Sequence, residues 1–286
     1  MRKYIVIFLG ILALGVCSCR RGNENPEDVR YAMREDVVFT ASASGYVTKA
    51  SDSALENGDA IGIFALEPIN EFNVKGTVKD GKVTLAHAVK WELNQTYVSR
   101  FVAYLPFNES LQQRDMDYGF TVKADQSQYS AYQASDLRYA VTDARPGKTV
   151  DLKFQHALSK LVVVMETPDV EVESVVTTEV DLGVKLNLAD GNLMEVQPVR
   201  GAVTLGKAVD ANGGTGHVAI MAPQNAAMGF TVTLKDGQVI EARPANAIKL
   251  ESGIAYKATV GLTGTFTVSV TDWSDDGVIP YIIKGQ

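Results

Sequence analysis

VVFTASASGYVTKASDSALENGDAIGIFAL, residues 37–66, holds a period-two run, a lone base, a polar turn and a second apolar run. Val37, Phe39, Ala41, Ala43 and Val47 fall on one face of an extended chain, and Val38, Thr40, Ser42, Ser44 and Tyr46 on the other. A one-residue slip would turn the apolar set to solvent, so this pattern fixes a half-buried strand with small residues at its middle. Lys49 stands alone in the polar loop behind it, and Gly58-Asp59 ends the loop before Ala60–Ala65.

Working outward, short apolar segments recur with turn signals between them. The first series is Ala60–Ala65, Lys82–Ala86, Val98–Leu105, Phe120–Ala124 and Leu137–Val141. A second comprises Leu161–Met165, Val172–Val176, Val184–Leu188, Val203–Leu205, His217–Met221, Phe230–Leu234, Val239–Ala242, Ala255–Leu262 and Phe266–Val270. Helical spacing is confined to Asp125–Tyr132, so the expected fold is all-β, built from antiparallel sandwiches. Asp80-Gly81 and Asp236-Gly237 read as two hairpin turns needing positive φ. Behind them, Ala88-Val89-Lys90-x-Glu92-x4-Tyr97 matches Ala247-Ile248-Lys249-x-Glu251-x4-Tyr256. This internal repeat predicts two tandem β-sandwich domains, 36–147 and 148–286, joined through the turn-rich segment Asp143–Lys148.

The N-terminus is of another kind. Arg2 and Lys3 precede an apolar run from Tyr4 to Val16, too short to span a bilayer and typical of a cleaved export signal. Cys17 and Cys19, the only cysteines, end that run, and Cys19 fits best as a lipidated residue after removal of signal peptide 1–18. Residues 19–35 then form a polar tether. Loss of Arg2 and Lys3 leaves 25 basic against 34 acidic residues, a net charge of −9. That balance argues against a nucleic-acid partner and against a polybasic membrane surface, so acyl chains on Cys19 would hold the protein to the outer membrane.

Catalytic patterns are missing from the sequence. There is no paired-acid, nucleophile–base or cofactor motif, so a non-catalytic protein without cofactors is expected. Asp272-x-Ser274-x-Asp276-Gly277 copies half of a calcium loop but carries Ile283 where a bidentate Glu belongs. His87, His156 and His217 lack metal-ligand spacing, so no metal site is expected. Trp91 and Trp273 read as core aromatics.

Several motifs together resemble the fimbrillin-like pilus subunits of Bacteroidales: the opening block 37–66, Phe154-Gln-His-Ala-Leu-Ser-Lys160, Ala219-Ile-Met-Ala-Pro223-Gln224 and Thr271-Asp272-Trp273. The resemblance implies transthyretin-like sandwiches in an exported lipoprotein of the outer membrane, cell surface and fimbrium. It also implies a trypsin-like processing protease that cuts after Lys49, or after Arg34, and frees the first strand. A C-terminal strand from another fimbrial subunit would then fill the vacated groove. Here the donor would be 278–286, through Val278, Ile279, Tyr281 and Ile283, although Pro280 is poorly suited to a strand bonded on both sides. The expected function is a fimbrial structural subunit or adhesin with a host or bacterial surface ligand. The alternative is a lipid-anchored, non-polymerising sandwich that binds glycans through Trp91, Tyr97 or Tyr104.

Overall fold

The computed structural model describes residues 34–43, 55–92, 96–111, 117–194, 199–210, 212–244, 246–273 and 283. Period-two segments dominate these residues, and they form strands. First come β1 (Phe39–Ala43), β2 (Ala60–Ala65), β3 (Glu71–Lys79), β4 (Lys82–Leu85) and β5 (Ser99–Leu105). β6 (Asp117–Thr121), helix α1 (Tyr129–Ser135), β7 (Arg138–Ala144) and β8 (Val150–His156) follow. Next are β9 (Ser159–Met165), β10 (Val172–Thr177), β11 (Val180–Asp181), β12 (Gly183–Asn187), β13 (Leu193–Met194) and β14 (Arg200–Gly201). The remainder is β15 (Gly206–Val209), β16 (Thr215–Met221), β17 (Gln224–Ala226), β18 (Phe230–Leu234), β19 (Val239–Ala242), β20 (Ile248–Leu250), β21 (Ile254–Val260) and β22 (Phe266–Asp272).

A closed barrel runs in the order β1-β4-β3-β2-β5-β7-β8. Its interior is packed by Phe39, Ile61, Ile63, Val74, Phe101, Leu152 and Phe154, among others. β2 and β5 are buried on both faces. Ile61, Ile63, Phe101 and Ala103 point into the barrel, while Phe64, Val102 and Tyr104 join the second core. That double burial accounts for the near-continuous apolar runs AIGIFA and FVAYL.

The second core lies under the five-stranded sheet β15-β16-β9-β21-β22 and the three-stranded sheet β10-β18-β19. Phe230 of β18 meets Phe266 of β22 edge-on, with ring centroids 5.4 Å apart. β6 leaves the barrel's run of sequence and pairs antiparallel with β12, from Gly183↔Thr121 to Asn187↔Asp117. Asp143 and Ala144 end β7, residues 145–149 turn the chain into β8, and β8 closes the barrel against β1. The strands on either side of the expected junction therefore pair with each other.

Local departures from expectation have local causes. Asp80 and Gly81 both take positive φ (50° and 73°) in a two-residue hairpin between Lys79 and Lys82. At the second Asp-Gly only Gly237 does (φ 89°). Asp236 there accepts the Gln238 N–H on its carboxylate at 2.9 Å, which makes a longer loop between Thr233 and Val239. Val203–Leu205 is not a regular strand: it is shared between β10, which it meets through Leu205 N–H to Val175 O, and Thr204 N–H to Ala124 O. The helix begins four residues later than its expected start, at Tyr129. β3 and β8 were not anticipated, although Val74-x-Gly76-x-Val78 and Val150-x-Leu152-x-Phe154 alternate strictly.

Where α1, β7 and β8 converge, charge is buried. The Asp136 carboxylate accepts from Arg138 Nε at 2.7 Å and lies 2.8 Å from His156 Nδ1. Burial alone would raise the Asp136 pKa, but Arg138 and His156 outweigh it and hold the carboxyl well below the usual range. A depressed folded-state pKa stabilises the fold fully above the unfolded value of about 3.9, and that stability is lost as pH falls through the lowered value. Asp136→Asn should therefore cost about 3–5 kcal/mol near neutral pH, the cost of breaking a buried pair. Urea titrations from neutral to acid pH should also show a flatter acid dependence in the variant than in the parent.

Candidate functional site

Alternation in Phe39–Ala43 turns Phe39 and Ala41 inward and Ser42 outward, while Thr40 and Ala43 are half-buried. Val37, Phe39 and Ala41 are 5%, 2% and 4% exposed, so three of the five residues assigned to the inward face fill pockets. The Phe39 ring stands edge-on to Phe101 at 5.4 Å, and Trp91 does the same from the far side at 5.5 Å. Burying Val37 and Phe39 contributes roughly 1.5–3 kcal/mol each.

The backbone of this strand changes partners along its length. Val37 N–H donates to Val89 O, and Trp91 N–H donates to Glu35 O, an antiparallel contact reinforced by Lys90 Nζ on Asp36 at 2.8 Å. From Phe39 onward the chain runs parallel to β8, in register from Phe39↔Val150 to Ala43↔Phe154. Against β4 it has one ladder pair, Thr40↔Lys82, beside Ala41 N–H to Gly81 O. Asp36 is mostly exposed, so the Lys90 pair contributes little. Apolar pockets and one parallel ladder hold the strand.

Arg34 is half-buried one residue before that antiparallel contact, on the N-terminal side of β1. Lys49, Val47, Cys19, Val278, Ile279 and Tyr281 lie outside the described residues. Ile283 does not: it is 6% exposed and packs in its own subunit's second core. Its seat is a glycine. At Gly206 the chain passes from Val203–Leu205, bonded to β10, into β15, bonded to β16. A Cβ on Gly206 would lie 2.4 Å from Ile283 Cδ1 and 2.6 Å from Gln126 O. Ile283 also lines a groove of about 1600 Å³ between β10 and β15, together with Glu173, Lys207 and His217. Burial, aided by Lys207, pushes the His217 pKa down to about 4, so the ring is neutral at neutral pH.

Two sequence motifs far apart in the chain meet. The Trp273 indole stacks on the His156 imidazole, with centroids 3.6 Å apart and planes 11° from parallel. Sequence reasoning placed both residues in motifs without foreseeing the contact, since nothing in either motif names its partner. The aromatic platform of the glycan-binding alternative is largely dispersed: Trp91 and Tyr104 are core residues, and Tyr104 donates its hydroxyl to Asn73 Oδ1 at 2.8 Å. Tyr97 is 63% exposed. Among the described residues, no group of His, Cys, Asp and Glu is placed to hold a metal ion.

A family model described as fimbrillin-like matches residues 48–273. Solved structures with the same fold include a candidate cell adhesion protein from Bacteroides uniformis, at 21% identity and a TM-score of 0.64, covering 84% of this chain and 99% of that one. Another is a candidate cell adhesion protein from Bacteroides ovatus, at 16% identity and a TM-score of 0.68, covering 84% and 98%. A third, from Bacteroides fragilis, has 12% identity and a TM-score of 0.51, covering 83% and 97%. No curated protein matches this chain.

Phe39→Ala empties the largest pocket under β1 and should lower stability by about 3–5 kcal/mol, read from the urea midpoint. Val38→Ala, on the exposed face of the same strand, should move the midpoint within about 0.5 kcal/mol of the parent.

Proposed function

The chain belongs to the fimbrillin-like family, and on that premise we propose that it is a fimbrial structural subunit or adhesin that assembles by exchanging its first strand. The observation that carries this reading is β1 itself, a closing strand held by three apolar pockets and a parallel ladder to β8. Strand addition supplies both terms again when another chain enters: backbone bonds give affinity and alternate side chains refill the pockets. The precursor is a lipoprotein acylated on Cys19, carried to the outer membrane and cell surface. Its partners are other fimbrial subunits, the membrane lipid, a trypsin-like protease and a host or bacterial surface ligand.

Geometry favours one processing site over the other. A cut after Arg34 falls before the contact of Glu35 with Trp91 and leaves β1 joined to the rest of the chain. A cut after Lys49 falls beyond Ala43 and separates the whole strand from Ala60 onward. Lys49 is therefore the productive site. On the donor side, residues 278–286 supply Val278, Ile279, Tyr281 and Ile283, and Ile283 must first leave its seat on Gly206.

Limited trypsin digestion of the mature protein tests this reading. An early cut after Lys49 should be followed by ladders on unheated SDS gels. Lys49→Gln should abolish the ladders, Arg34→Gln should preserve them, and deletion of 278–286 should remove them while leaving a folded chain. A cut protein that stays monomeric would rule out polymerisation and leave the non-polymerising surface protein.

A further inference from the structure

We infer that His156 couples the two ends of the exchange, by tying the strand that β1 pairs with to the residue from which the C-terminal segment departs. This inference rests on the strand-exchange reading and adds a positioning residue to it.

β8 is the common element. Along Val150–Phe154 it is laddered to β1, and Asp151 accepts the Thr40 hydroxyl at 3.2 Å. The ladder between β8 and β7 joins only its far end, Arg138 to His156 and Tyr139 to Gln155. β1 therefore supplies the ladder for the first five residues of β8, and its loss leaves that stretch unpaired on this side. His156 is two residues past Phe154, the partner of Ala43. A shift of β8 reaches His156 with no intervening loop.

Around His156 stand the groups that make it a junction. Its Nδ1 lies against Asp136, which Arg138 holds from the start of β7 through Nε and Nη2. Its ring carries Trp273, the residue that directly follows β22. The Trp273 backbone N–H donates to Gly253 O at 2.9 Å, while the buried indole Nε1 has no acceptor among the described residues. The indole is 3% exposed in the second core, where stacking on His156 adds to its packing and its N–H is left unsatisfied, a cost that exposure to water would relieve. The stack is thus poised to open when His156 moves. The thirteen residues after Trp273 include Ile283, which is seated against Gly206. In this arrangement the Trp273 stack loosens only in a subunit whose acceptor groove is already vacant.

The mature full-length chain carrying Trp91→Phe leaves Trp273 as its one tryptophan, and acrylamide quenching then reports on the stack. Trypsin cleavage is followed by mass spectrometry, and the freed strand is removed by gel filtration. Loss of β1 should raise the quenching constant of Trp273 several-fold. Phe39→Ala in uncut protein loosens β1 without a protease and should raise it partway. Adding His156→Gln should leave strand release unchanged and abolish the rise on cutting, because the stack is then independent of β8. Quenching that stays constant both after proven loss of β1 and in Phe39→Ala would overturn the coupling. So would a response of equal size with Gln at position 156. If trypsin does not free the strand, the exchange reading fails by itself and the coupling is still decided by Phe39→Ala.

Discussion

A parallel pair between the first strand and the eighth governs this structure. Antiparallel neighbours can be joined by two residues and stay adjacent whatever happens elsewhere, but a parallel neighbour must be brought in from a distance. β1 and β8 are joined by the whole remaining barrel, and among the described residues no hairpin encloses β1. The barrel is therefore closed by its most separable member. The contacts that keep β1 in place come from outside its own stretch of sequence: the Phe101 ring, the 89–91 segment, the β3–β4 turn with Lys82 of β4, and the edge of β8.

That separability coexists with a deep union of the two halves. Tyr104, Tyr118 and Phe120 stack in succession where β5 meets β6, and β6 extends into the sheet of β12. Asp136, Arg138 and His156 bind α1, β7 and β8 below, and Trp273 closes the far end. Because β2 and β5 are buried on both faces, a loss at β1 exposes the barrel interior without undoing the second core.

Much of this was legible in the residues. Ala60–Ala65, Phe230–Leu234 and Val239–Ala242 are strands at the bounds the alternation marks, because their turns are decided by nearby Gly and Asp. β3 escaped notice because Gly76 interrupts its apolar face; that glycine lets Val83 pack against the strand, where a Cβ would come within 2.6 Å of Val83 Cγ1. β8 was read as the threshold of a second domain, since Arg145-Pro-Gly-Lys148 has the composition of a linker and hairpin turns share that composition. Partners were less legible than elements. The parallel register of β1, the seat of Ile283 on Gly206 and the stacking of Trp273 on His156 all join residues far apart in sequence, and a single chain's local pattern records none of them.

The distance between β1 and its partner has a consequence for how the chain acquires its shape. Thr40 bonds Asp151 across 111 residues, whereas β2, β3 and β4 follow one another through short loops. Chain entropy makes such a remote pairing the most expensive loop to close and places it late in folding. The strand that enters last meets a barrel already formed around a vacant slot. Closure of that slot by β1 is the step of folding on which chain entropy weighs most.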